Sequence, residues 1–224
     1  MKIAEIFYSI QGEGTLAGVP SVFIRSSGCN LRCSWCDTPY TSWQPEGEEM
    51  PVSEIIEKAR QTGARYAVVT GGEPMIAKGI SELSGGLRSA GMHITIETAG
   101  TVDGEVACDL MSISPKLRNS IPQGVWAAQH DRLRIQPDVL KRLMARAPEY
   151  QLKFVVTQPE DLEEIREILS ATGAEPGRVI LMPEGTSPEK LRAKAVWIAE
   201  LCKSKGYRYG PRLHVDIWGD KRGV

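Results

Sequence analysis

The chain has 224 residues, with 27 basic and 28 acidic side chains and a formal charge of -1. That balance excludes the basic footprint of a nucleic-acid binder or of a protein held on anionic lipid, and no apolar run approaches the roughly 18 residues of a membrane span. The length is enough for one sizeable core, so one domain over residues 1–224 is expected, and the absence of an apolar signal core after Met1 predicts a cytoplasmic protein.

The first clear element is Ser21-Val22-Phe23-Ile24-Arg25, a β-branched run that reads as a strand. It ends at a loop that holds three of the five cysteines, Cys29, Cys33 and Cys36. A polar connector over Gln44 to Pro51 leads to Val52, Ile55, Ile56 and Ala59 at helical spacing, stopped at Gly63. Tyr66 to Thr70 is the next strand, followed by the loop Gly71-Gly72-Glu73-Pro74 and a helix marked by Ile80, Leu83, Leu87 and Ala90. Ile94 to Glu97 and Leu110 to Ile113 are further strands, the second leading into Ser114-Pro115-Lys116. Leu117 to Arg134 has no assignable period. A helix over Val139 to Arg146, a strand over Leu152 to Val156, a helix through Leu162, Ile165, Ile168 and Leu169, a strand over Val179 to Met182 and a helix from Pro188 to Lys205 complete the alternation. Leu213-His214-Val215 is expected to be a closing strand.

Short apolar strands alternating with amphipathic helices imply an α/β fold with a parallel sheet, because parallel neighbours require helical crossovers. The strands fall short of eight, so the expected fold is a partial, open (βα) barrel of about six parallel strands, with the cysteine loop after the first. A flat doubly wound sheet is the alternative. In a barrel, function gathers on the loops after the strands. The cysteines, Gly71 to Pro74, Glu97 with Thr98, Ser114 to Lys116, and Pro183 to Gly185 all fall there.

Three thiolates in the spacing Cys-x3-Cys-x2-Cys select iron–sulfur chemistry or zinc, and both normally take four protein ligands, so one metal position is left open. Asp37, His130 or a remote cysteine could close a zinc tetrahedron instead. Cys108 and Cys202 lie among apolar residues and read as buried, inert thiols.

With the Gly-Gly-Glu-Pro loop one strand later, the cysteine motif resembles the radical S-adenosylmethionine superfamily. There a 4Fe-4S cluster held by three cysteines binds the cofactor's methionine end on its unique iron, reduces the sulfonium by one electron and releases a 5′-deoxyadenosyl radical. Glu5 to Gly14, with its Gln11-Gly12-Glu13-Gly14, then Phe23-Ile24-Arg25, Cys36-Asp37-Thr38 and the tail Trp218 to Val224 narrow the resemblance, which covers almost the whole chain, to the 7-carboxy-7-deazaguanine synthases. It implies a lyase that converts 6-carboxy-5,6,7,8-tetrahydropterin to 7-carboxy-7-deazaguanine with loss of ammonia, on the route to queuosine, with the radical chemistry carried by the cofactor.

By position, the resemblance assigns Cys29, Cys33 and Cys36 to the cluster and Thr38 to magnesium. Trp35, Asp37, Gly72, Glu73, Glu97, Ser114, Lys116, Met182, Pro183, Glu184 and Gly185 fall to S-adenosylmethionine. Ile10, Gln11, Gly12, Glu13, Arg25, Thr70, His214 and Val224 fall to the substrate, with the C-terminal tail folding over it. These residue types suit a pterin: an amide and a carboxylate read its donor–acceptor edge, and Arg25 matches a carboxylate bidentately. The resemblance also implies a homodimer and an electron donor such as a flavodoxin. The competing readings are a radical activase acting on a glycine of a partner protein, and a non-catalytic zinc or cluster module.

Overall fold

A computed structural model describes all 224 residues. In chain order the elements are β1 (Lys2–Ile10), β2 (Pro20–Ser26), α1 (Pro39–Ser42), β3 (Glu48–Glu49), α2 (Val52–Gln61), β4 (Tyr66–Gly71), α3 (Ile80–Ser89), β5 (His93–Thr98) and β6 (Leu110–Ile113). They continue with α4 (Ala127–Leu133), α5 (Pro137–Arg146), β7 (Glu149–Val156), α6 (Asp161–Thr172), β8 (Val179–Pro183), α7 (Pro188–Lys205), β9 (Arg208–Tyr209) and α8 (Leu213–Trp218). All nine strands form one sheet in the order β3-β1-β2-β4-β5-β6-β7-β8-β9. From β2 to β9 every pairing is parallel, and β1 joins antiparallel to β2 and β3.

The parallel strands follow one another in space as in sequence, so the order never reverses and there is no topological switch point. That rules out the doubly wound alternative. Successive right-handed crossovers then place the helices on one side of the sheet, and β3 and β9 remain as edges, so the barrel is open.

Residues alternate between the two faces of each strand. Val22 and Ile24 of β2, Ala67 and Val69 of β4, Ile94 and Ile96 of β5, Met111 and Ile113 of β6, and Leu152, Phe154 and Val156 of β7 join the main core with the helix residues Ile55, Leu83, Leu87, Leu140 and Ile165. Each of the larger of these side chains, from Val to Phe, contributes about 1.5–3 kcal/mol by leaving water. The opposite face carries Arg25, Thr70, Glu97, Ser112 and Lys153, and these polar residues point into the hollow of the barrel.

One segment differs from expectation, and two that the sequence left unassigned take a defined form. Leu213 to Val215 is not a strand but the start of α8. The sheet edge there is taken by Arg208 and Tyr209, paired with Ile180 and Leu181, and a three-residue apolar alternation does not distinguish a strand from a helical turn. The N-terminal strand β1 has no signal in its pattern, because Ile3, Ile6, Phe7 and Ile10 recur at helical spacing; pairing with β2 makes it a strand. Residues 117–134 resolve into short 3-10 turns at Arg118–Ser120 and Gly124–Trp126 followed by α4, laid against the cysteine loop.

Candidate active site

The hollow at the C-terminal ends of the strands is a cavity of about 320 Å³. Its wall is the polar face of the sheet, with Arg25 beside Thr70 in the β2–β4 register and Glu97 beside Ser112 in the β5–β6 register. Residues 219–224, from Gly219 to Val224, close one side. Arg222 fastens this tail: its guanidinium lies 3.8 Å from the Tyr40 ring centre and bonds Glu5 at 3.3 Å and Glu46 at 3.2 Å.

The cysteine loop lies beside this cavity and is fixed from several sides. The Glu73 N–H donates to the Gly28 carbonyl at 2.9 Å, and the Gly28 N–H donates to the Thr41 carbonyl at 2.8 Å. Gly72 allows this approach, since a Cβ there would stand 2.1 Å from the Gly28 oxygen. Asn30 bonds Thr101, the Trp43 indole N–H donates to the Cys33 carbonyl at 3.0 Å, and the Trp35 indole N–H reaches the Asn119 carbonyl at 3.0 Å.

Cys33 is buried with Leu31 and Ala99, and Cys29, Cys36 and Leu133 pack on them. No three His, Cys, Asp or Glu side chains converge closely enough to grip a single metal ion. His130 cannot complete a zinc site, because both ring nitrogens are already bonded, to the Arg32 N–H and the Ser120 hydroxyl. An all-thiol donor set on one loop, too spread for one ion, fits a multi-iron cluster in which each cysteine meets a different iron. Burial pushes the Cys29 thiol up to about 11 and the Cys33 thiol up to about 12, the cost that bound iron would offset. Cys108 and Cys202 are buried away from the cavity, and burial also raises their thiols, to about 12 and about 11.

A charge network floors the cavity. The Lys153 ammonium, with its side chain 3% exposed, lies 3.0 Å from both Glu13 and Glu97. Glu97 also accepts from Gln11 Nε2 at 3.3 Å and from the Thr70 hydroxyl at 3.0 Å. Arg212 bonds Glu13 at 3.0 Å, the Gly185 carbonyl at 2.7 Å and Asp37 at 2.5 Å. Burial opposes ionisation throughout, but Lys153 and Arg212 outweigh it and hold Glu13 well below the usual carboxylate range, and Arg212 does the same for Asp37. The paired acids in turn keep Lys153 and Arg212 protonated. Three carboxylates thus share two cations, which suits a site for a positively charged ligand.

The expected residues mostly meet here. Ile10, Gln11, Gly12, Glu13, Arg25, Trp35, Asp37, Thr38, Thr70, Gly72, Glu97, Ser114, Lys116, Met182, Glu184, Gly185, His214 and Val224 all line the cavity. Arg25 spends only its Nε, on Glu5 at 2.6 Å, so its terminal nitrogens face the hollow without a partner. His214 packs on Gly12, where a Cβ would stand 1.9 Å from its Nδ1, and the Leu213 N–H donates to the Gly12 carbonyl at 2.9 Å.

Two expected residues are elsewhere. Glu73 is fully buried, its carboxylate accepting from the Met75 N–H at 3.0 Å, the Ala99 N–H at 2.8 Å and the Thr98 hydroxyl at 2.7 Å. Burial pushes it above the ordinary value, and its side chain braces the loop. Pro183 is buried as the last residue of β8. Lys153, Arg212, Ser112 and Tyr40 were not anticipated. The first three had a signal or a reason for its absence: Lys153 and Ser112 interrupt apolar strand runs at the same alternation as Arg25, Thr70 and Glu97, whereas nothing local marks Arg212.

Comparison with known proteins places the chain further. The Radical SAM superfamily model matches residues 23–118. The 7-carboxy-7-deazaguanine synthase of Rhodopirellula baltica is 46% identical, over 100% of this chain and 89% of that protein, and that of Halobacterium salinarum is 46% identical, over 98% and 91%. The crystal structure of QueE from Escherichia coli superposes with a TM-score of 0.70 at 26% identity, covering 95% of this chain and 94% of that one. Streptococcus suis SuiB bound to its precursor peptide matches with a TM-score of 0.58 at 13% identity, over 84% of this chain and 47% of that one, a likeness of fold alone.

Proposed function

The chain belongs to the 7-carboxy-7-deazaguanine synthase family of radical SAM enzymes, and from that premise we propose how its residues divide the conversion of 6-carboxy-5,6,7,8-tetrahydropterin to 7-carboxy-7-deazaguanine. The observation that carries the reading is the polar inner face of the sheet, which opens on one cavity beside the cysteine loop. Cys29, Cys33 and Cys36 hold the cluster, and Gly72, Ser114, Lys116, Met182, Glu184 and Gly185 hold the cofactor. When bound, cluster and S-adenosylmethionine together supply one-electron chemistry that generates a hydrogen-abstracting radical.

The chain's own residues then bind and orient the substrate. Gln11, Glu13 and the backbone at Gly12 read the flat donor–acceptor edge of the pterin, with Glu13 kept ionised by Lys153 and Arg212. The free terminal nitrogens of Arg25 take the substrate carboxylate. Thr38 lines the same cavity and would offer magnesium one hard hydroxyl oxygen. The tail from Gly219 to Val224 walls one side of the site, which favours a small substrate over a partner protein's loop. The domain reading is of one piece, with the N-terminal segment and the tail completing the site. The family resemblance implies a homodimer and an electron donor such as a flavodoxin.

The test is anaerobic incubation of reconstituted protein with S-adenosylmethionine, a reductant, magnesium and the carboxytetrahydropterin. Formation of 7-carboxy-7-deazaguanine by mass, abolished by omitting the cofactor and lowered by a magnesium chelator, is expected. Cofactor cleavage with no deazaguanine product would overturn the substrate assignment.

A further inference from the structure

The irregular segment over residues 117–134 has no part in the cavity wall, yet it meets the cysteine loop at every turn. The Ser34 N–H donates to the Ser120 carbonyl at 2.9 Å, Trp35 bonds Asn119, and the Arg32 guanidinium lies 4.9 Å from the Trp126 ring centre. At the centre is His130, 1% exposed. Its Nδ1 lies 3.0 Å from the backbone nitrogen of Arg32, between Cys29 and Cys33, and its Nε2 lies 2.9 Å from the Ser120 hydroxyl.

These partners fix the tautomer. A backbone N–H only donates, so Nδ1 accepts and the ring proton is on Nε2. The Ser120 oxygen accepts a hydrogen bond from that N–H, and its own hydroxyl donates to the Leu117 carbonyl at 2.6 Å. The chain of bonds runs one way, from the cysteine loop through His130 and Ser120 into the backbone that follows Lys116. That backbone is itself braced, with Arg134 bonded to the Lys116 carbonyl at 3.1 Å and to Glu164 at 2.5 Å.

Two of the three residues between Cys29 and Cys33 direct their amides differently. The Leu31 N–H lies 3.4 Å from the Cys29 sulfur, whereas the Arg32 N–H is turned away from sulfur by His130. We propose that His130, as its Nε2–H tautomer, is a positioning residue that sets the shape of the Cys-x3-Cys loop, and through it how firmly the chain holds its iron–sulfur cluster and at what potential. This rests on Cys29, Cys33 and Cys36 being the cluster ligands. Partners one bond removed from a ligand commonly alter metal affinity by roughly tenfold or more. An amide released toward a thiolate or sulfide stabilises the reduced, more negative cluster and so raises its potential.

The test uses the anaerobically reconstituted holoenzyme and three variants. In His130→Asn the amide oxygen falls where Nδ1 was and can accept from Arg32. His130→Gln places its amide near the Nε2 position and leaves the Arg32 N–H unmatched, as does His130→Leu. Iron and sulfide per chain, the rate of iron loss to a ferrous chelator and the midpoint potential are measured for each.

The expected result is that Gln and Leu lose iron roughly tenfold faster and titrate at a higher potential, with Asn close to wild type. If Leu does not fold, the Asn and Gln pair decides. Equal iron loss and equal potential across the variants, with wild type fully loaded, would overturn this inference alone. So would Asn behaving like Gln, since only shape would then matter. Wild type that takes up no iron at all would overturn the cluster assignment and this inference with it.

Discussion

Lys153→Met probes the charge network on which the substrate reading depends. The ammonium is 3% exposed and lies 3.0 Å from each of two carboxylates, whose side chains are 17% and 20% exposed. At an effective dielectric near 20, each contact is worth about 5 kcal/mol before desolvation is subtracted. What survives on breaking such a buried arrangement is about 3–5 kcal/mol, because Glu97 is left without a cation and Glu13 keeps only Arg212. For a chain of this size that lowers the melting temperature by about 6–20 °C.

The pH dependence identifies the cause. In the wild type Glu13 is held below its unfolded value, so its stabilisation is complete above the ordinary carboxylate range, near 4.3, and is lost only as the pH falls below that. In the variant Glu13 keeps Arg212 but loses Lys153, so one cation opposes its burial where two did and its pKa is lowered less than in the wild type. The variant therefore has less stability to lose on acidification: the gap between the two proteins is flat above about pH 5.5 and narrows as the pH falls below the ordinary carboxylate range, near 4.3. Anaerobic thermal unfolding by circular dichroism at several pH values reads this directly. A gap that is absent, or that widens on acidification, would refute the argument. Glu13→Gln added to Lys153→Met should recover part of the loss, as coupled neighbours require.

Three other outcomes are expected. Deleting Gly223 and Val224 should raise the KM for the pterin while leaving cofactor cleavage without substrate largely unchanged; normal turnover by the truncated protein would show that the tail does not complete the site. Gly12→Ala should push His214 out of its contact, since the new methyl would stand 1.9 Å from Nδ1; a shifted His214 ring resonance and weaker substrate binding, with the melting temperature nearly kept, would report it. Glu73→Leu should cost about 2–4 kcal/mol by stranding the Met75 and Ala99 N–H groups, whereas Glu73→Gln, which keeps an acceptor, should cost less. Urea midpoints distinguish the two, and equal midpoints would refute the bracing role.

What could be read from the chain follows from what is local. A parallel sheet needs apolar strands and amphipathic crossovers, and both periods are present in short windows, so the open barrel and its functional rim were legible. The cysteine triplet was legible for the same reason: its ligands lie within eight residues, and their chemistry does not depend on the rest of the fold. Lys153 and Ser112 were readable in principle, as polar residues at the cavity-facing alternation of apolar strands.

Other features depended on contacts between distant parts of the chain. Arg212 gains its meaning only by meeting Asp37, 175 residues away, and Glu13, 199 residues away. Glu73 turned inward because the amides of Met75 and Ala99 needed an acceptor where water is absent, a demand no motif records. β1 became a strand because β2 offered an unpaired edge, against its own helical spacing. Leu213 to Val215 became helix because the edge beside β8 was already filled. The sequence by itself determined the sheet, the rim and the thiol chemistry, since these rest on period and residue type. The tertiary structure decided which charges are paired, which acid is a brace and what holds the cysteine loop, since burial and partner are properties of the assembled fold.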